Sequence, residues 1–251
     1  MFRILVTNDD GIDTVGIKIL AEAMSELGEV TVVAPSREMS GISHALTLGQ
    51  PIEAEVVRPR WYAVGGTPTD CVYIARVKIL NGDIDLVVSG INNGANLGED
   101  VHYSGTVAGA VEGSIFDIPA LAFSMTAGLS VDLGEAASFA KRLASEVLAR
   151  GIEPRTLINV NFPAPPSAGV KLTRLGRRHY EQVVDERARG NGRFTFRIGG
   201  NEIHYEQSPE TDCQAIADGY TSVTPLQIDL SDGDSRSRLA AWGIFGGNED
   251  G

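Results

Sequence analysis

Residues 4–17 read ILVTNDDGIDTVGI. Ile4 to Val6 form an unbroken apolar run of buried-strand type, and Ile17, Leu20, Met24 and Leu27 follow at helical spacing up to Gly28. This is strand, loop, helix, the start of a doubly wound α/β fold, in which the carboxyl end of the first strand faces the ligand crevice. Dinucleotide folds carry glycines at that point, so that backbone N–H groups can approach phosphate. Here two adjacent carboxylates, Asp9 and Asp10, stand there instead, and they repel phosphate. Either the ligand is not anionic, or a cation sits between.

Outward from this start the pattern repeats. Residues 30–34 are a second strand stopped by Pro35, leading into the polar loop SREMSGISHALTLG, and residues 61–64 are a third. The segment GGTPTDCVYIARVKIL then starts a helix with Thr67 as N-cap, Pro68 at the first position and Asp70 at the third, its apolar positions running to Leu80. Ile84 and residues 86–88 are a buried strand ending at Ser89-Gly90 before the loop INNGANLGEDVHYSG. A helix over 106–116, a strand over 119–125, an amphipathic helix over 133–149 and a strand over 157–160 complete the alternation. Alternating strands and helices predict right-handed βαβ units, hence a three-layer, Rossmann-like fold with a mainly parallel sheet.

The texture changes after Pro163-Ala164-Pro165-Pro166. Residues 170–173 and 194–198 alternate apolar and polar, with Gly190-Asn191-Gly192 as turn chemistry between them. We read a hairpin-rich arm that a second subunit stabilises, with a surface insertion as the alternative. Strand texture returns at 220–226, and a short helix RSRLAAW precedes the tail GGNEDG. The expected organisation is a catalytic core over 1–163, an arm and returning strand over 164–230, and a tail over 231–251.

The chain has 251 residues and a net charge of −12, which argues against a protein that grips nucleic-acid polymers through many phosphate contacts. Cys71 and Cys213 are far apart and form no CxxC, so neither a disulfide framework nor a cysteine zinc site is expected. No basic segment followed by an apolar one opens the chain, and no stretch approaches the ~20 apolar residues of a membrane span. The expectation is a cytoplasmic protein with no membrane partner.

Three polar clusters fall at strand ends: Asp9-Asp10, Ser40 with its neighbours, and Asn92-Asn93 with Asn96. An open α/β sheet brings such ends to one edge. Carboxylate, hydroxyl and amide oxygens are hard ligands suited to Mg²⁺ or Mn²⁺, and a cation supplies the counter-charge that two confined carboxylates need. Turn or capping roles are the plainer explanation of Asp9-Asp10 taken alone. Ser104-Gly105-Thr106 stands where a helix begins, a place for an anion on backbone N–H groups and hydroxyls, although an ordinary Ser or Thr N-cap explains it equally. With the Gly-rich loop GINNGANLG, the site becomes a metal facing an anion cradle, which suits phosphomonoester hydrolysis.

The stretches TNDDGI, VVAPSREMSGISHALTL, GTPTDC, VVSGINNGANLGEDVHYSGTVAGAVEG and GYTSVTPL resemble the stationary-phase survival protein SurE family of metal-dependent 5′-nucleotidases. The resemblance implies that Asp9, Asp10, Ser40 and Asn92 hold one divalent ion per subunit, and that Asn96, Ser104, Gly105 and Thr106 form the phosphate pocket. It makes Asp9, Asp10 and Asn96 the catalytic set. It further implies hydrolysis of nucleoside 5′- and 3′-monophosphates, sometimes of polyphosphate, by a homodimer or homotetramer built by exchange of C-terminal segments. Ser36 stands where the family usually has Asp, Ala95 replaces the usual proline before Asn96, and the arm DERARGNGRFTFRIGG lacks the usual aromatic-rich form. These departures bear on base preference and assembly.

His44 and His102 lie in the loops of the site, either as rim histidines or as a proton donor or leaving-group contact. Asp70 reads as a helix-capping acid, and His179, Tyr180 and His204 belong to the arm without supporting spacing. Two rivals stand beside hydrolysis: a metal-dependent nucleotide sensor without turnover, and an aspartyl-phosphate phosphatase. The latter chemistry wants two aspartates one residue apart, whereas here they are adjacent.

Overall fold

The computed structural model describes residues 1–126, 131–180, 183–190, 192–199, 203–206, 208–242 and 244. β1 (Phe2–Thr7), α1 (Val15–Ser25) and β2 (Gly28–Pro35) follow the expected order, and β1 pairs in parallel with β2. Gly28 opens β2, where any Cβ would stand 2.3 Å from the Phe2 carbonyl oxygen. The close approach of two strands therefore asks for glycine at this point.

β3 (Ala54–Arg58) is an antiparallel edge strand, exposed along its whole length, and the apolar pattern does not reveal it. β4 (Trp61–Val64) lies between β3 and β2. The helix start at Thr67 is a capping box: the Asp70 amide donates to Thr67 Oγ1 at 3.1 Å, and the Thr67 amide donates to Asp70 Oδ2 at 2.9 Å. Asp70 also accepts from the Thr47 amide and hydroxyl, at 2.8 and 2.7 Å, so this buried acid ties the long loop after β2 to the core. The α-helical winding, α2 (Pro68–Ile74), passes into a π-wound turn over Ala75–Ile79 instead of running on to Leu80.

β5 (Leu86–Asn93) continues past the Ser89-Gly90 end that its sequence suggests. Against β6 (Ala120–Met125) it carries an irregularity between Ser89 and Asn92, a bulge that brings Asn92 opposite Ser124. α3 (Gly105–Ile115) lies between these strands in the chain, and α4 (Gly134–Arg150) leads from β6 to β7 (Thr156–Phe162). The core is split by the sheet. α1 and α4 cover Leu121, Phe123, Val160 and Phe162, while α2 and α3 cover Ala120, Ala122 and Leu157 on the other face. Since β5, β6 and β7 are neighbouring parallel strands, helices on opposite faces give their two crossovers opposite hands. The expectation of uniformly right-handed units is thus corrected. The bulky phenylalanines of β6 and β7 point to the α1 face, and α4 goes where they need cover.

The sheet has nine strands in the order β3-β4-β2-β1-β5-β6-β7-β13-β8. β8 (Val170–Leu172) does not join the hairpin as its alternation suggests. It pairs in parallel with β13 (Thr221–Gln227), and β13 returns antiparallel to β7. The hairpin itself is β10 (Val183–Gly190) against β11 (Arg193–Gly199), flanked by the pair β9 (Arg178–Tyr180) and β12 (Ile203–Tyr205). α5 (Asp212–Ala217), absent from the sequence reading, is short and anchored by buried Asp212, which accepts from the amides of Gly98 and Gly176 at 2.9 and 2.8 Å. α6 (Gly233–Ala240) is the expected C-terminal helix, displaced a few residues toward the N-terminus. Asn191, the tail over 246–251 and the side chains of His179, Tyr180 and His204 lie outside the described residues. Among the described residues no helix is long and apolar enough to cross a membrane.

Candidate active site

β1 sits between β2 and β5, so its carboxyl end is the meeting point of three loops. Each of them bonds to the aspartate pair. The Met39 amide donates to the Asp9 carbonyl oxygen at 2.8 Å, which brings the loop that carries Ser40 to the end of β1. The Asn93 amide donates to Asp10 Oδ2 at 2.9 Å. From the start of α3, Thr106 Oγ1 donates to Asp9 Oδ1. The three polar clusters of the sequence are therefore joined through Asp9 and Asp10.

The electrostatics of the pair are unbalanced. Burial pushes the Asp9 carboxyl up to about 6, with the adjacent Asp10 adding to the shift and the Thr106 hydroxyl opposing it. Burial also raises Asp10, and Glu38 raises it further, against the bond from Asn93. The neighbouring charges that raise the two carboxyls are themselves acidic, Asp10 beside Asp9 and Glu38 beside Asp10. Glu38, which the sequence reading passed over, accepts from Ser40 Oγ at 2.8 Å.

Asn92 Nδ2 donates to the Gly94 carbonyl oxygen at 2.9 Å, leaving Oδ1 as the acceptor for a further partner. Among the described residues no cluster of three or more His, Cys, Asp and Glu side chains is present, so two carboxylates would be completed by hydroxyl and amide oxygens. An all-oxygen set around uncompensated negative charge fits a hard divalent cation.

Asn96 is held almost as a part of the backbone scaffold. Its amide donates to Asn161 Oδ1 at 2.8 Å, and its carbonyl oxygen accepts from Asn159 Nδ2 and Asn161 Nδ2 at 2.9 and 3.0 Å. Its side-chain nitrogen donates to Ser124 Oγ at 2.8 Å, with a second N–H left over. The sequence reading missed this clamp of Ser124, Asn159 and Asn161. Its signal was polar residues placed in otherwise apolar strands.

At the helix start, Ser104 is the N-cap and accepts from the Val107 amide at 3.0 Å, which keeps its own hydroxyl proton available to donate. Thr106 is buried and turned to Asp9, so its hydroxyl proton is engaged within the protein. Gly105 is fixed by space: a Cβ there would meet Asp9 Cβ at 2.7 Å and Oδ2 at 2.9 Å. One further acid was overlooked. Glu112 on α3 is buried, and its Oε2 lies 2.8 Å from His44 Nε2. A lone carboxylate in the apolar helix sequence was the available sign.

A family model described as Survival protein SurE matches residues 4–182, more than half of the chain. The chain belongs to the SurE family. The protein named 5′-nucleotidase SurE from Myxococcus xanthus is 47% identical over 249 residues, covering 98% of this chain and 95% of its own. That of Syntrophotalea carbinolica, with the same name, is 45% identical over 243 residues, covering 96% and 97%. The crystal structure of the SurE protein from Aquifex aeolicus superimposes with a TM-score of 0.85 at 40% identity, over 95% of this chain and 98% of that one. The SurE resemblance seen in the motifs thus extends over nearly the whole chain, including the arm.

Proposed function

We propose that the chain is a divalent-metal-dependent phosphomonoesterase acting on nucleoside 5′-monophosphates, with 3′-monophosphates and polyphosphate as related substrates. The observation that carries this reading is the end of β1, where two adjacent acids meet, Asp9 bonded to Thr106 at the start of α3 and Asp10 to the Asn93 amide of β5. The name 5′-nucleotidase SurE of its relatives supports the same activity.

In this reading Asp9, Asp10, Ser40 and Asn92 Oδ1 hold one Mg²⁺ or Mn²⁺ ion. Bound there, the ion supplies Lewis-acid polarisation of the phosphoryl group and orientation for the attacking water. The Gly105 amide, the Ser104 hydroxyl and the free N–H of Asn96 donate to the phosphate oxygens, where the helix dipole adds positive potential. Thr106 completes the pocket by holding Asp9 in place, and the Asn159–Asn161–Ser124 clamp fixes Asn96. Asp9, Asp10 and Asn96 are the catalytic set.

The test is phosphate release from a panel of nucleoside 5′- and 3′-monophosphates and polyphosphate with Mg²⁺, Mn²⁺ or chelator. Turnover of nucleoside monophosphates is expected with metal and not with chelator. Equal turnover in chelator overturns the metal site. Metal-dependent binding of AMP without phosphate release favours the sensor, and a phosphoenzyme trapped on Asp9 favours the aspartyl-phosphate route.

We infer further that the working unit is a homodimer or homotetramer. α6 buries none of its residues, Leu230 and Ile244 around it are exposed, and among the described residues the β10–β11 hairpin forms a separate two-stranded sheet that exposes Val184, Phe194, Phe196 and Ile198. Exposed apolar surface of this kind is what an isologous contact covers. Light scattering is expected to give a multiple of the 26.7 kDa chain mass, and a single-chain mass refutes this assembly. We place the protein in the cytoplasm, in keeping with two free, buried cysteines.

A further inference from the structure

The proposed mechanism leaves Glu112 and His44 unused. Glu112 carries a side chain only 7% exposed on a helix whose other buried residues are small or apolar, and His44 Nε2 meets its Oε2 at 2.8 Å. A buried carboxylate is costly unless it is paired, so the pair is a built feature of this wall. The position of His44 is itself fixed. Beside it, the Ser43 amide donates to the Tyr103 carbonyl oxygen at 3.0 Å and Ser43 Oγ to the His102 carbonyl oxygen at 2.6 Å, which stitches the loop to the residues just before Ser104.

His44 and Ser104 line one cavity of about 1070 Å³, and Val107, Ala108, Val111 and Ile115 of α3 form an apolar strip along it. From Thr106 to Glu112 the helix rises about 9 Å, at ~1.5 Å per residue. That span is too long for a second contact to the phosphate group at the helix start. It matches the length of a nucleoside whose phosphate sits there and whose base lies over the apolar strip.

We propose that the Ser104 end of this cavity seats the nucleoside half of the substrate, and that His44, held by Glu112, is the residue that hydrogen-bonds it. The inference rests on the phosphomonoesterase reading above and adds its specificity determinant. With Nε2–H donated to the carboxylate, Nδ1 is left as an acceptor for the ligand, and it accepts a hydrogen bond from a ribose hydroxyl or a base N–H. Glu112 acts through His44 and is a positioning residue.

The experiment compares AMP with p-nitrophenyl phosphate, which carries no nucleoside, under steady-state conditions with Mn²⁺. In His44→Ala the KM for AMP is expected to rise about tenfold, the worth of one hydrogen bond, with kcat within about twofold. The ratio of kcat/KM for AMP to that for p-nitrophenyl phosphate falls accordingly. Glu112→Ala moves the same ratio in the same direction, and Glu112→Gln, which still accepts from Nε2–H, restores most of it. Loss of kcat on AMP at unchanged KM overturns the proposal in favour of proton donation, and equal losses on both substrates overturn it in favour of a purely structural pair. If the wild-type protein releases phosphate from neither, the phosphomonoesterase reading has failed on its own. AMP affinity measured by calorimetry then decides this inference, with about tenfold weaker binding by His44→Ala expected and equal binding overturning it.

Discussion

Exchange of Asp9 for asparagine lowers phosphate release from nucleoside monophosphates by about three orders of magnitude, a loss of ~4 kcal/mol of transition-state stabilisation. The side chain keeps an oxygen for the Thr106 hydroxyl, so the local scaffold survives while the anionic ligand is lost. Asp10→Asn acts in the same way, because its remaining oxygen still accepts from the Asn93 amide. A second readout separates site loss from misfolding. In the wild type, a divalent ion at about 100 times its Kd stabilises the fold by ~2.7 kcal/mol, seen as a rise in Tm over the chelator control. In Asp9→Asn that rise disappears, while the Tm in chelator stays near or above the wild-type value, since a carboxylate pushed up to about 6 by burial and its neighbour is no longer ionised inside the protein. Metal-dependent turnover at wild-type rate in Asp9→Asn sinks the assignment.

The sequence made these two residues visible for a physical reason. A strand end in an open α/β sheet is a defined place, and the chemistry of the residues there is readable without coordinates. Ile4 to Val6, the Thr67 cap and the helix after Ser104 were legible because each rests on local signals: an apolar run, a capping box, a helix N-cap. What the sequence withheld was non-local. β3 is exposed throughout and carries no alternation, and β8 has the texture of a hairpin strand yet pairs with β13, some fifty residues later. The opposite hands of the α3 and α4 crossovers come from which sheet face holds Phe123 and Phe162, a matter of packing. In the site, Asn92, Asn96 and Ser104 were picked out by type, while their bonds were not. That Thr106 turns to Asp9, that Asn159 and Asn161 clamp Asn96, and that Glu112 meets His44 are contacts between segments distant in sequence.

Gly105 joins the two kinds of information. From sequence it is one member of Ser104-Gly105-Thr106, a small residue in the first turn of a helix that the resemblance places in the phosphate pocket. Its backbone is not in the left-handed region, and alanine is the better helix former there by up to about 1 kcal/mol, so local propensity alone says that Gly105→Ala stabilises the protein. The tertiary contact says otherwise for function. A Cβ at 105 would stand 2.7 Å from Asp9 Cβ, closer than carbon atoms tolerate, and a tight 3.2 Å from its Cγ, and Asp9 is buried with its carboxylate tied to Thr106. The aspartate has to move, and a displacement on the order of 1 Å in a reacting geometry costs about 10²-fold in rate. The expected result for Gly105→Ala is a loss of kcat on nucleoside monophosphates of about 10²-fold or more, with the metal-induced rise in Tm reduced and the Tm in chelator changed little. Gly109→Ala is the control on the same helix: its Cβ would meet Thr7 Cγ2 at 2.9 Å and Ser89 Oγ at 3.1 Å, crowding side chains of β1 and β5 and no atom of Asp9. It is expected to lower Tm in chelator while retaining the metal-induced rise and turnover below its melting temperature. If Gly105→Ala instead loses Tm and activity together, as Gly109→Ala loses Tm, the effect is one of packing, and the claim that glycine at 105 exists to seat Asp9 fails.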